Sequence, residues 1–391
     1  MLPNLTGKPL QVGKTYSMTA EPGRGYVFSN WLGSIAASTP KLTFVMLTNT
    51  ALQVNFIANP FTPVTGTYKG LFYDTNGVTL QSSGFFSAKT TSRGSFSANL
   101  QLAGKSYSLS GPFSITGWAS NFVARSGLKP LTVLLQLDLN GGNELTGRVS
   151  DGTWAAELFA NRSVFNSKTN PAPQAGKYTL RIPGGDDSSA QPGGDGFGVV
   201  TVGSSGNVTF TGTLGDGTKV AQTTVVSQEG LWPFYASLYS GNGLILGWLT
   251  FTNEASDDIR GSVGWIKLAQ PARTFYRIGF TNETEAIGSK YAFTKGIPVL
   301  DFSTGQVWLA YGNLPESFTN RIVFGTNKVT NLSSNKLSLT LTTSSGLFKG
   351  SVVNPATGKA IPINGAVLQK QNFGSGCFLG TNQSGRVYFG P

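Results

Sequence analysis

Apolar and polar residues alternate with a period of two along much of this 391-residue chain. That period places successive side chains on opposite faces of a strand. Phe96, Ala98, Leu100 and Leu102 fall on one face, with Ser97, Asn99 and Gln101 on the other. After the turn Ala103-Gly104-Lys105, the residues Tyr107, Leu109, Gly111, Phe113 and Ile115 return on one face, which predicts a hairpin. Leu131, Val133, Leu135, Leu137 and Leu139 alternate again, Asn140-Gly-Gly-Asn143 turns, and Leu145-Thr-Gly147-Arg-Val149 begins the partner strand. No segment sustains a 3.6-residue apolar period with caps, so no helix is predicted. Many short strands with dense turns give an all-β fold, a sandwich or a barrel.

The pattern is also written more than once. Gly66-Thr-Tyr68, Gly176-Lys-Tyr178 and Gly288-Ser-Lys-Tyr291 each open a new stretch, with 110 positions from Tyr68 to Tyr178 and 113 from Tyr178 to Tyr291. A fixed long period means tandem copies of one folding unit. Gly206 to Leu214 mirrors the hairpin that starts at Gly94, and Leu244 to Phe251 mirrors the leucine strand. Ile259 to Trp265 mirrors Leu145 to Trp154, which predicts equivalent core places for Trp154 and Trp265. Three antiparallel units are therefore expected, at 66–166, 176–285 and, more divergent, 288–391, behind a small β module at 1–57. One barrel per unit is the preferred architecture, and units sharing a sheet the alternative. Proline-bearing segments at 58–65 and 167–175 read as linkers.

Gly (51 residues), Ser, Thr and Asn do the polar work, because only 12% of residues are charged. The 12% aromatic content argues for packed cores over disorder. The chain has no histidine, which removes the commonest neutral-pH base and zinc ligand. The single cysteine, Cys377, can form neither an internal disulfide nor a metal cluster and is expected to be buried. A net charge of +11 invites nucleic acid, but the Lys and Arg are scattered singly and no nucleic-acid-binding motif is present. Attraction to anionic glycans or cell-envelope polymers fits better. No stretch is long and apolar enough for a membrane helix, and the N-terminus lacks the pattern of a signal peptide.

The first 57 residues carry a specific motif. Thr19, Ala20, Pro22, Gly25, Tyr26, Phe28 and Trp31, then Phe44 and Met46, then Asn55 and Phe56, resemble the divergent internalin-type bacterial repeat. That family normally starts with one more strand, here missing or reduced to Met1–Pro9, which leads us to expect a fragment of a longer protein. The resemblance implies a small β-rich module of secreted and surface-attached bacterial proteins. Segments such as "LTGRVSDGTWAAELFANRSVF" and "LQKQNFGSGCFLGTNQSGRVYFGP" make residues 66–391 similar to uncharacterised C-terminal β-repeat regions of large secreted verrucomicrobial proteins. That resemblance implies an extracellular or cell-surface location and no particular chemistry.

Candidate chemistry is sparse. Asp186, Asp187 and Asp195, in a Gly-rich loop, could wrap a Ca²⁺, although the ordered spacing of known calcium loops is absent. Asp138, Asn140, Asn143 and Glu144 form a second oxygen-rich turn, which turn chemistry alone explains. Trp232, which follows a Gly-Leu and precedes Pro233, is expected near a loop as an exposed ligand-contacting aromatic, with Tyr235 beside it and Trp118 as the next choice. No catalytic residue is assigned, and no enzyme is expected. The reading is a non-catalytic extracellular or cell-surface β-repeat protein with a stalk, adhesion or display role. The alternative is a carbohydrate-binding module of a secreted polysaccharide-acting enzyme.

Overall fold

The computed structural model describes residues 1–391 except Thr48. Among the described residues, the regular structure is strands plus one 3₁₀ turn at Tyr239–Gly241. The N-terminal module has four strands: β1 (Thr15–Thr19), β2 (Tyr26–Gly33), β3 (Lys41–Val45) and β4 (Leu52–Ala58). β1 pairs with β3 and β2 with β4, giving two small sheets over a core of Met18, Phe28, Trp31, Leu42 and Phe44. The strand that Met1–Pro9 was expected to reduce survives as one bridge, Leu2 to Thr19.

Three eight-stranded meanders follow. The first comprises β5 (Gly66–Tyr73), β6 (Gly84–Thr90), β7 (Ser95–Leu102), β8 (Lys105–Pro112), β9 (Trp118–Arg125), β10 (Leu128–Leu137), β11 (Glu144–Ser150) and β12 (Ala155–Arg162). The second comprises β13 (Gly176–Ile182), β14 (Gly196–Val202), β15 (Asn207–Thr213), β16 (Lys219–Val225), β17 (Leu231–Leu238), β18 (Gly243–Phe251), β19 (Ile259–Lys267) and β20 (Phe280–Lys290). The third comprises β21 (Thr304–Tyr311), β22 (Phe318–Phe324), β23 (Val329–Asn331), β24 (Leu337–Thr342), β25 (Leu347–Val353), β26 (Ala360–Leu368), β27 (Phe373–Leu379) and β28 (Ser384–Gly390).

In each unit consecutive strands pair antiparallel except at one place (β8 and β9, β16 and β17, β23 and β24), and the first strand pairs with the last: β5 with β12, β13 with β20, β21 with β28. Each sheet thus curls into a nearly closed barrel. Inward-facing residues fill it, such as Leu100, Leu131, Val133, Leu135 and Leu158 in the first and Leu180, Phe210, Trp232, Ile245 and Trp265 in the second. Eight strands enclose a space that side chains can fill. Tyr68 and Tyr178 begin their barrels alike, each donating its hydroxyl to the carbonyl four residues back, Val64 and Gln174, at 2.8 Å.

The third copy of the opening motif behaves differently. Gly288, Ser289 and Lys290 finish β20 and pair with β13, so this segment closes the second barrel and does not open the third. Tyr291 then passes into the third core, its hydroxyl on the Thr343 carbonyl. The expected equivalence of Trp154 and Trp265 also fails. Trp265 lies within β19, facing the core, whereas Trp154 sits in the turn between β11 and β12 and is half-buried.

Each barrel has one seam without a backbone ladder, and amide side chains cross it. Between β8 and β9, Asn121 Nδ2 donates to the Ser110 carbonyl at 2.9 Å. Between β16 and β17, Gln222 Nε2 donates to the Pro233 carbonyl at 2.8 Å while its Oε1 accepts the Trp232 indole N–H at 2.9 Å. Proline suits a strand edge because it has no N–H to leave unpaired. In the third barrel Asn320, Asn331 and Asn335 interlock, with Asn320 Nδ2 and Asn331 Nδ2 both on the Asn335 carbonyl.

Replacing Gln222 with Leu keeps the volume but strands the Trp232 N–H and the Pro233 carbonyl. We expect a loss of about 2–4 kcal/mol in urea unfolding, since each buried group left unpaired costs roughly 1–3 kcal/mol. A loss below about 0.5 kcal/mol would mean that the amide does not hold the seam.

Candidate functional site

The aromatic residues predicted to contact ligand fall in different places. Trp232 is fully buried in the middle of the second barrel, packed against Phe210, Phe234 and Phe251. The expected loop is instead strand β17, because Pro233 occupies the seam edge where a strand tolerates it. Tyr235 points out of the same strand but is 4% exposed, stacked on Phe85 of the first barrel at 6.1 Å. It belongs to an apolar joint with Leu71, Leu80, Leu244, Leu246 and Ile266. Burial pushes its phenol up to about 12. Of the three predicted aromatics, only Trp118 is open to solvent, at 56%, beside Phe122 on the same face of β9.

The acidic loop does not gather its carboxylates. Asp195 is fully buried. It accepts Arg181 Nε at 2.7 Å, the Gly184 N–H at 2.9 Å and the Ser375 hydroxyl, and lies 3.2 Å from Arg386 Nε. Asp187 is exposed and turns back on its own loop. Hydrogen bonds from the side chain and backbone of Ser189 hold it below the usual carboxylate range. Asp186 is exposed and reaches Arg386 Nη1 and the Tyr311 hydroxyl, each at 3.5 Å. Among the described residues no group of three or more His, Cys, Asp or Glu residues comes together to hold a metal. The loop is instead a clasp. Arg181 and the loop come from the second barrel, and Ser375 and Arg386 from β27 and β28 of the third. Gly194 is glycine because a Cβ there would meet the Cys377 side chain at 2.6 Å. In the turn at Asp138 the carboxylate accepts the N–H groups of Asn140 and Gly142, but Asn143 reaches beyond the turn, donating to Gln228 Oε1 at 3.1 Å.

Sequence reasoning missed one buried polar cluster, at the end of the second barrel. The Tyr239 hydroxyl donates to Asp216 Oδ2 at 2.7 Å and accepts the Trp265 indole N–H at 3.1 Å. Lys267 Nζ donates to the Tyr276 carbonyl at 2.7 Å and lies 5.4 Å from the centre of the Tyr239 ring. The Tyr276 hydroxyl contacts Ser384 of the third barrel. Tyr239, Ser240 and Tyr276 have φ of 54°, 59° and 49°, a region that costs bulky residues about 1–3 kcal/mol. The side-chain bonds of Tyr239 and Tyr276 hold those two there. Burial, then the Asp216 charge, pushes the Tyr239 phenol far up, and burial pulls the Lys267 ammonium down. A phenol so raised is no neutral-pH base. The cluster plugs the barrel end. The sequence signal for it, Asp216-Gly217, is indistinguishable from an ordinary turn.

Residues 5–60 match the divergent InlB B-repeat domain. No curated protein matches the chain. Among solved structures, transferrin binding protein B from serogroup B Neisseria meningitidis is 12% identical, with a TM-score of 0.19, covering 96% of this chain and 84% of that one. A mutant of the vaccine antigen transferrin binding protein B from Haemophilus parasuis Hp5 is 9% identical, with a TM-score of 0.20, covering 96% and 85%. Superpositions this loose carry no role across. The chain is thus an all-β protein in which a bacterial repeat domain precedes three barrels in tandem.

Two outcomes follow from the clasp. Asp195→Asn leaves two guanidiniums without their shared countercharge and should destabilise the second and third barrels by about 3–5 kcal/mol in chemical denaturation. Unchanged unfolding would show that the clasp contributes nothing. Cys377 sits in the same joint with Phe197 and Ala366. Burial, then Asp216 and Asp195, pushes its thiol up to about 12. Burial both shields the sulfur and keeps it mostly as the thiol, so a thiol reagent at pH 8 should modify Cys377 only after unfolding. Fast labelling of the native protein would contradict this packing.

Proposed function

We propose that this chain is a non-catalytic β-repeat array, exposed at the surface of a bacterial cell or secreted, with a stalk, adhesion or display role. The observation that carries the reading is that the interior groups an enzyme would use are already engaged in structure. Asp195 is paired with arginines, Asp216 accepts the Tyr239 hydroxyl, and Asp257 and Asp258 pair with Arg260 and Lys370. The barrel interiors are packed with side chains. The repeat domain at 5–60 supports the location, since the notable members of such modules sit on secreted and surface-attached proteins. We read the array as four folding units, with the third ending at Lys290, where β20 stops, and not at residue 285.

A second reading, a carbohydrate-binding module, is favoured by one observation: Trp118 and Phe122 are 56% and 73% exposed on one face of β9. Exposed aromatic faces of this kind offer stacking platforms.

Surface labelling tests the first reading. A membrane-impermeant amine reagent applied to intact producing cells should label the protein, or the protein should appear in the medium. Labelling only after lysis would overturn it.

A further inference from the structure

We propose that the outer face of β5 to β8 on the first barrel is a binding groove for an acidic polysaccharide. The inference deepens the surface-array reading by naming what the array would hold.

The outward residues of β5 divide in two. Leu71 and Tyr73, at its end, pack in the joint with the second barrel. Thr67 and Lys69, at its beginning, stay open, and with Ser87, Lys89, Asn99 and Ser108 they line a groove of about 600 Å³. It is a shallow depression open to solvent, not an enclosed pocket. Register fixes the layout. Lys69 lies opposite Ser87, Ser87 opposite Asn99, and Asn99 opposite Ser108, while Thr67 lies opposite Lys89 and Lys89 opposite Ser97. Two parallel rows of short hydroxyl and amide side chains therefore run across four strands, each row carrying one lysine.

The two lysines are diagonal neighbours on adjacent strands, about 7–8 Å apart. Neither has an ion-pair partner among the described residues. Lys69 is half-buried, and burial holds its ammonium below the usual lysine range. From Gly66 to Pro112 the only acid is Asp74, against Lys69, Lys89, Arg93 and Lys105. Two unpaired cations on one face, with no nearby acid on these strands, attract an anion that lies across both.

The rest of the lining fixes the class of anion. Serine and asparagine both donate and accept hydrogen bonds, which matches the hydroxyls of sugars. No aromatic ring lines the groove, so nucleobases would have nothing to stack on. The corresponding face of the second barrel is not free. β26 of the third barrel lies across β13 and β14, and Thr179 Oγ1 donates to the Val367 carbonyl at 2.6 Å. The two-lysine rows open on the first barrel thus have no open counterpart at β13 and β14 of the second.

The test is affinity electrophoresis of the full chain through gels containing polygalacturonate, dextran sulfate, neutral dextran or oligothymidylate. We expect retardation by polygalacturonate, by dextran sulfate or by both, which separates carboxylate from sulfate recognition, and none by neutral dextran. The double variant Lys69→Gln/Lys89→Gln should weaken the interaction about tenfold, the sum of two exposed charge contacts. The control Lys168→Gln/Lys359→Gln removes the same charge from exposed positions elsewhere and should change it less than about twofold. No retardation by either acidic polymer, equal weakening by both double variants, or tighter binding of oligothymidylate than of the polysaccharides would overturn the proposal. Because the assay uses purified protein, its failure is distinguishable from a failure of surface labelling.

Discussion

An eight-stranded meander that curls back on itself leaves two strand edges facing each other, and the whole array depends on how those edges are satisfied. Unpaired backbone groups at an edge template pairing with other chains, and buried ones cost free energy. Here the ladder stops between β8 and β9, between β16 and β17, and between β23 and β24. At each gap a Gln or Asn crosses, using the donor and acceptor that a carboxamide carries together. A neutral amide can be buried with one or two partners, whereas an ion there would need a full counterion. This choice agrees with a chain in which 12% of residues are charged.

The two joints between barrels use different physics. The first is apolar: Phe85 and Leu71 meet Tyr235, Leu244, Leu246 and Ile266, and Phe159 meets Trp248 edge-on at 5.6 Å. The second is polar and partly ionic: Asp195 with Arg181 and Arg386, Lys370 with Asp258 at 2.7 Å, and Tyr276 with Ser384. An apolar joint is non-directional and tolerates small slippage, whereas buried charge-assisted hydrogen bonds fix distance and angle. The second and third barrels are therefore held in a defined orientation by groups that would be costly to separate.

Much of this was legible in sequence where the information is local. The alternation at Phe96–Leu102 became β7, with its apolar members buried, and the leucine strand became β10. The internalin-type motif became the module whose core holds Phe28, Trp31 and Phe44. What stayed hidden depends on distant partners. Asp195 reads as one more loop carboxylate until Ser375 and Arg386, about 180 to 190 positions away, close over it. Trp232 reads as a loop residue because a proline follows, and only the position of the seam shows why β17 accepts that proline. Gly288-Ser-Lys-Tyr291 looks like the earlier openings, but local spelling does not say whether a strand begins one barrel or closes another.

Filled barrels push recognition outward. With Leu, Val and aromatic side chains occupying all three interiors, no lumen is left for a ligand, in contrast to barrels that enclose one. Outer faces are then the remaining surfaces, and packing has already claimed several: β17 and β18 by the first barrel, β13 and β14 by the third. The first barrel meets the second through β5 and β6, and the N-terminal module through Val27 and Asn59. Its free outer strands carry both the exposed aromatic pair of β9 and the unpaired lysines of β5 and β6. On the first barrel it is this side-chain content of the uncovered strands, more than position in the series, that offers a place to meet a partner.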